Sequence, residues 1–125
     1  MSADEIATAF TDHYYSMRQT DQGGADQLAG LFNERSMMTF EGAAIQGSPA
    51  IVDKIRQLGP VRLTKKSQDV QPSADGQSIV IFVTGGCTLA GQENPIHFSE
   101  WFYLVPTGPG AYCVSNNIFR LNYGQ

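Results

Sequence analysis

The sequence predicts an α+β domain, in which three helices pack on a strongly bent antiparallel sheet that forms a cone. Apolar residues at helical spacing occur before residue 58, whereas almost everything after residue 61 alternates in the manner of strands. A Gly85-Gly86 pair inside one of the long strands indicates a bend. With 125 residues, no repeat and no linker, we expect a single domain over residues 1–125.

The helices come first in the chain. Ser2 is suited to cap the first helix, whose apolar stripe is Ile6, Phe10, Tyr14 and Met17. His13 and Tyr15 lie off that stripe. A second helix is predicted over residues 25–32, with Leu28, Leu31 and Phe32 inward. The third begins at Ser48-Pro49 and ends near Leu58.

The strands follow, apart from a short pair at 36–40 and 43–47 that precedes the third helix. Long strands are predicted over 61–71, 78–90 and 97–105, and a terminal strand runs to residue 123. In its last half, alternation sends Phe119, Leu121 and Tyr123 to one face and Ile118, Arg120 and Asn122 to the other. The outer face of the sheet would carry Trp101, Tyr103 or the residues that alternate with them, and it needs a cover, for which self-association is the obvious candidate.

Composition excludes several classes of function. A net charge of −4 and scattered basic residues argue against a nucleic-acid binder, and no apolar run is long enough to span a membrane. Cys87 and Cys113 belong to no Cys-x-x-Cys motif and are expected to be reduced core thiols of an intracellular protein. We expect no metal site, since His13 and His97 do not have ligand spacing.

Several motifs, in the right order along the whole chain, carry a resemblance to the nuclear transport factor 2 family. They are Phe10-x-x-His13-Tyr14-Tyr15, Met38-Thr39-Phe40-Glu41-Gly42, Gln46-Gly47, Ile51-Val52-x-Lys54, Gln71-Pro72, Gln92-Glu93-Asn94-Pro95 followed by Phe98, and Ile118-Phe119-Arg120-Leu121. The resemblance implies a homodimer that carries the GDP form of the small GTPase Ran into the nucleus. It also implies contact with Phe-x-Phe-Gly repeats of nucleoporins, location in cytoplasm and nucleus with concentration at the nuclear pore, and neither catalysis nor a cofactor.

The resemblance also implies a Ran site. Glu41 alone would be an ordinary solvated turn carboxylate, but in the family this residue sits on a cavity rim and pairs with a basic residue of Ran. Phe40 and Phe119 would line the cavity that receives an aromatic side chain of Ran, with Leu58, Leu63 and Phe98 beside them. The Gln92-Glu93-Asn94 loop, otherwise a polar hairpin loop, would meet a Ran lysine, with amides at 92 and 94 where vertebrate-like members carry Asp.

Two further expectations concern a nucleoporin-binding site and an alternative, enzymatic function. An aromatic residue that helps to bind Phe-x-Phe-Gly repeats in relatives aligns with Ala3, and Ile6 is the nearest apolar replacement. The alternative is a small-molecule isomerase or dehydratase on the same cone, with Tyr14 as hydrogen-bond donor and Glu41 or Asp69 as general base. Such an enzyme needs these groups to converge inside the pocket.

Overall fold

A computed structural model describes residues 2–89 and 92–122. Within these residues the three α-helices and six strands are α1 (Ala3–Arg18), α2 (Ala25–Leu28), β1 (Met37–Phe40), β2 (Ala43–Gln46), α3 (Ser48–Leu58), β3 (Arg62–Pro72), β4 (Ile79–Thr88), β5 (Ile96–Gly108) and β6 (Ala111–Asn122). The predicted strand end at Ala90, the loop position of Gly91 and the facing of Tyr123 lie outside the described residues. In the described part of the chain, no helix is both long and apolar enough to cross a membrane.

The six strands form one curled sheet in the order β2-β1-β6-β5-β4-β3. The predicted α+β cone is confirmed, and β3 to β6 form the expected antiparallel meander. The pairing of β1 was not predicted. It runs parallel to β6, with Phe40 opposite Phe119, so this pair is parallel whereas β3 to β6 pair antiparallel. This pair places the end of β1 beside the end of the chain's last strand.

Helix α1 lies against the concave face of the sheet. The Ser2 hydroxyl accepts a hydrogen bond from the Glu5 N–H (3.2 Å), and the Glu5 carboxylate accepts one from the Ser2 N–H (2.9 Å), a reciprocal cap. The prediction that Tyr15 lies off the buried stripe is wrong, because its side chain is only 4% exposed. A sheet that curls around a helix covers more than one stripe of it, so both Tyr14 and Tyr15 pack edge-on against Phe102.

The second helix is shorter than predicted. It ends at Leu28 and continues as a 3₁₀ turn over Ala29–Leu31, and Phe32 is already extended. Leu28 and Phe32 are buried as expected, but Leu31 is only half-buried. Gly30, a poor helix former, lies in the segment that leaves the α-helical geometry.

The bend in the sheet comes from a bulge opposite the glycine pair. The register passes from Lys65–Gly85 to Ser67–Thr84, so the extra residue is Lys66 of β3. The glycine is required because β3 comes so close to it. A Cβ on Gly85 would lie 1.9 Å from the Thr64 carbonyl oxygen.

Candidate partner-binding site

The turn after β1 is tied to β6 by Glu41. Glu41 adopts the left-handed conformation (φ 50°), and Gly42 follows at φ 89°. The Glu41 N–H donates to the Phe119 carbonyl oxygen (3.0 Å), and its Oε1 accepts from the Leu121 N–H (2.5 Å). The side chain of Glu41 thus continues the β1–β6 pairing by one more bond after the backbone has turned away. The carboxylate is therefore held at the rim of the sheet and remains half-exposed.

Three stacked phenylalanines form what we call the aromatic wall: Phe40, Phe119 and Phe98. The Phe40 and Phe119 rings are nearly parallel with centroids 5.1 Å apart, and the Phe119 and Phe98 centroids are 5.6 Å apart. The inner two rings are buried and Phe40 is half-buried, so the stack runs from the core toward the surface. Lys54 Nζ of α3 lies 5.1 Å from the Phe40 ring centroid, within cation–π distance.

The remaining residues of the expected Ran site lie at the same end of the sheet. The strand register places the ends of β1, β4 and β6 and the starts of β3 and β5 together at this end of the sheet. Leu63 is buried near the start of β3, and half-buried Leu58 ends α3 just before it. Gln92, Glu93 and Asn94 are exposed in the loop between β4 and β5. The fold therefore gathers these positions around one rim.

The convex face of the sheet carries an apolar row. Phe82, Trp101 and Ile118 are register partners on β4, β5 and β6. Phe82 is 41% exposed and Ile118 46% exposed, and the Trp101 ring stacks on Tyr103 at 6.2 Å. Ile118 thus faces outward and its neighbour Phe119 inward, as strand alternation predicts.

An apolar groove lies at the opposite end of the molecule, between α1 and the β5–β6 hairpin. Its lining residues include Ile6, Phe10, Leu31 and Tyr112. Half-buried Ala3 lies one helical turn before Ile6. Leu31, which was expected to be buried, instead contributes to this groove. The two expected binding sites are therefore well separated on the protein.

A buried polar cluster was missed by the sequence analysis. Glu100 of β5 is 1% exposed and accepts hydrogen bonds from the Tyr15 hydroxyl (3.0 Å) and Asn117 Nδ2 (2.9 Å). Burial raises the pKa of the Glu100 carboxyl to about 7, against the lowering effects of the Asn117 bond, the Arg18 charge and the Tyr15 bond. Alternation in β5 could have revealed it, because Glu100 shares a face with Phe98 and Phe102.

Of the residues chosen for the alternative enzyme, Asp69 does not come together with Tyr14. Asp69 is the register partner of Phe82, an outer-face residue, and is itself exposed. Tyr14 is fully buried under the inner face, where its hydroxyl has no hydrogen-bond partner within the described residues. Asp69 therefore lies on the other side of the sheet from Tyr14 and cannot act with it.

Comparison with known proteins decides the family. A model of the nuclear transport factor 2 (NTF2) domain matches residues 6–121, nearly the whole chain. The chain belongs to the nuclear transport factor 2 family. Nuclear transport factor 2B of Arabidopsis thaliana is 44% identical, with 98% of this chain and 97% of the relative covered. Nuclear transport factor 2 of Schizosaccharomyces pombe is 40% identical, with 95% of each covered.

A solved family member has the same fold. The structure of nuclear transport factor 2 from Cryptosporidium parvum aligns with a TM-score of 0.85 at 35% identity, covering 96% of this chain and 94% of that one. These relatives are named as transport factors rather than as enzymes.

Proposed function

We propose that this chain is a nuclear transport carrier, which binds the GDP form of Ran at the rim formed by Glu41 and the aromatic wall. It acts as a homodimer, passes the nuclear pore by binding Phe-x-Phe-Gly nucleoporins, and shuttles between cytoplasm and nucleus. Membership of the nuclear transport factor 2 family over the whole chain supports the transport role.

The observation that carries the Ran site is the convergence at one rim of residues far apart in sequence. The parallel β1–β6 pair brings Glu41 to Leu121, and the β5–β6 register brings Phe98 to the same Leu121. A half-buried ring beside a carboxylate suits a partner that presents an aromatic side chain next to a basic one.

Glu41 can serve both the fold and the partner. Its Oε1 is occupied by the Leu121 N–H, whereas Oε2 accepts no hydrogen bond from residues 2–89 or 92–122. A carboxylate already fixed at one oxygen loses little side-chain entropy when the other accepts from a cation. Its ion pair with Ran would therefore be preorganised.

The β4–β5 loop would contribute a weaker electrostatic interaction to Ran binding than Glu41 does. Gln92 and Asn94 are exposed amides, and Glu93 between them carries the loop's charge. We propose that this loop contacts a Ran lysine through Glu93 and amide oxygens. Since exposed charge pairs contribute little and are screened by salt, binding should depend more on the aromatic wall and Glu41 than on this loop.

Two further surfaces complete the proposal. The groove beside Ile6 is lined largely by apolar side chains, which suit a phenylalanine ring of a nucleoporin repeat, and Ala3 lies one helical turn before Ile6. The outer row of Phe82, Trp101 and Ile118 is a candidate homodimer surface, because exposed apolar residues of this kind favour association.

Discrimination between the two nucleotide forms of Ran tests the function. The γ-phosphate reorganises the switch region of a GTPase, and the family's contacts are to that region. Immobilised Ran loaded with GDP should retain this protein, and Ran loaded with GTP should not. Equal retention by both forms, or by neither, would remove the carrier proposal.

A further inference from the structure

The polar cluster behind the aromatic wall is a group of buried ionisable side chains that the transport role does not use. Glu100 lies inside the cone, opposite Phe119 on β6 and Val83 on β4. Helix α1 contributes three of the groups that face it: Tyr14, Tyr15 and Arg18. The other two are Cys87 of β4 and Asn117 of β6.

The cluster does not fully satisfy a charged Glu100. Two neutral donors, the Tyr15 hydroxyl and Asn117 Nδ2, bind the carboxylate. Arg18 is close enough to act on it electrostatically, yet within the described residues no cation lies within 4 Å of it. A buried carboxylate without a direct ion pair is a destabilising charge, whereas its protonated form is not.

The cluster also contains an acceptor for the proton of a neutral Glu100. The Asn117 amide donates through Nδ2 to Glu100 and, at 3.3 Å, to the Trp101 carbonyl oxygen. Its Oδ1 is buried and has no partner within the described residues. Rotation of this amide by half a turn would give up the longer bond and present Oδ1 to the carboxylic acid O–H of Glu100.

We propose that Glu100 is an internal proton switch, in which the carboxyl takes up a proton as the pH falls and the protonated form is the more stable state of the fold. Two orientations of the Asn117 amide accompany the two charge states. Glu100 lies directly across from Phe119, a member of the aromatic wall. This inference concerns the fold and does not depend on the identity of any partner.

The sign of the pH effect follows from the direction of the shift. The pKa of Glu100 is about 7 in the folded protein, above the ordinary value of 4.5 expected when it is unfolded. The stabilising effect is therefore fully present below 4.5 and is lost as the pH rises through 7. Over pH 5.5 to 8.5 these two values correspond to a rise of about 30-fold in the unfolding equilibrium constant.

Carbon-13 NMR of the side-chain carboxyls tests the switch directly in the wild-type protein. We expect one glutamate signal, absent in Glu100→Gln, to titrate with a midpoint near 7. Tyr15→Phe, which removes a hydrogen bond that is stronger to the charged carboxylate than to the neutral acid, should move that midpoint upward. A Glu100 midpoint at the ordinary value would overturn the proposal, and the wild-type titration decides even if a variant fails to fold.

Urea unfolding between pH 5.5 and 8.5 supplies the second test. The ratio of the wild-type unfolding constant to that of Glu100→Gln should rise about 30-fold across this range. The matched control, Glu34→Gln, removes an exposed carboxylate and should follow the wild type at every pH. Parallel curves for wild type and Glu100→Gln would contradict the switch.

Discussion

The carboxylate of Glu41 accepts a hydrogen bond from the backbone N–H of Leu121, 80 residues further along the chain. This bond extends the parallel β1–β6 pair beyond the end of β1 and fixes a charged group at the rim next to Phe40. A residue expected only to meet a partner therefore also closes the fold at this edge. Its two roles can be separated by substitution.

The structural role predicts different stabilities for two substitutions of Glu41. Glu41→Gln keeps an oxygen that can accept from the Leu121 N–H, whereas Glu41→Lys leaves that donor without its acceptor. We expect Glu41→Lys to lower the free energy of unfolding by about 1–2 kcal/mol and Glu41→Gln by less than about 0.5 kcal/mol. Urea unfolding measures both, and equal values for the two variants would contradict a structural role of the bond.

The outer apolar row predicts a homodimer. Sedimentation of the wild type at micromolar concentration should give roughly 27 kDa, twice the 13.6 kDa chain. Ile118→Asp places a charge on a residue of this row that is 46% exposed and should give a folded monomer. Ala50→Asp, an exposed change in the first turn of α3, is the control and should remain dimeric. A wild-type monomer, or a dimeric Ile118→Asp, would refute this assignment.

The groove predicts opposite effects of two changes on nucleoporin binding. Ile6→Ala removes apolar surface from the groove and should weaken binding of a Phe-x-Phe-Gly peptide about tenfold. Ala3→Trp adds an aromatic side chain at the position where the family resemblance implies one and should strengthen binding. Fluorescence titration with a labelled peptide measures both, and unchanged affinity in both variants would place the nucleoporin site elsewhere.

The bend in the sheet predicts that Gly85 cannot be replaced. A Cβ at this position would overlap the Thr64 carbonyl oxygen, so Gly85→Ala should lower the free energy of unfolding by about 1–3 kcal/mol. Gly108→Ala is the matched control, because nothing lies within 4 Å of its added Cβ, and it should stay within about 0.5 kcal/mol. A neutral Gly85→Ala in thermal unfolding would show that the close approach to Thr64 can relax.

Local pattern was enough to predict most of the fold. Helical spacing in α1, the Ser48-Pro49 start of α3 and period-2 alternation in β6 each appear in the structure near the expected place. What local pattern could not predict is pairing between distant segments. The parallel β1–β6 pair joins segments that are far apart in sequence, and it brings Glu41 into contact with Leu121.

The candidate site likewise combines features that the sequence predicts with contacts that only the tertiary fold reveals. The resemblance selected the residues of the rim, and the register then brought them together. The burial of Tyr15 and Glu100 was missed because each residue was considered only within its own helix or strand. The two residues meet only when β5 curls around α1, which converts a polar residue of a strand and one of a helix into a buried hydrogen-bonded pair.

Calorimetric titration of Ran-GDP into the wild type and Glu41→Gln tests the central claim most directly. The substitution removes the charge but keeps an acceptor for Leu121, so the fold should be preserved while the ion pair with Ran is lost. We predict that the wild type binds Ran-GDP and that Glu41→Gln binds it about 10- to 100-fold more weakly, with a free energy of unfolding within about 0.5 kcal/mol of the wild type. Equal affinities for the two proteins would show that Ran does not bind at the Glu41 rim.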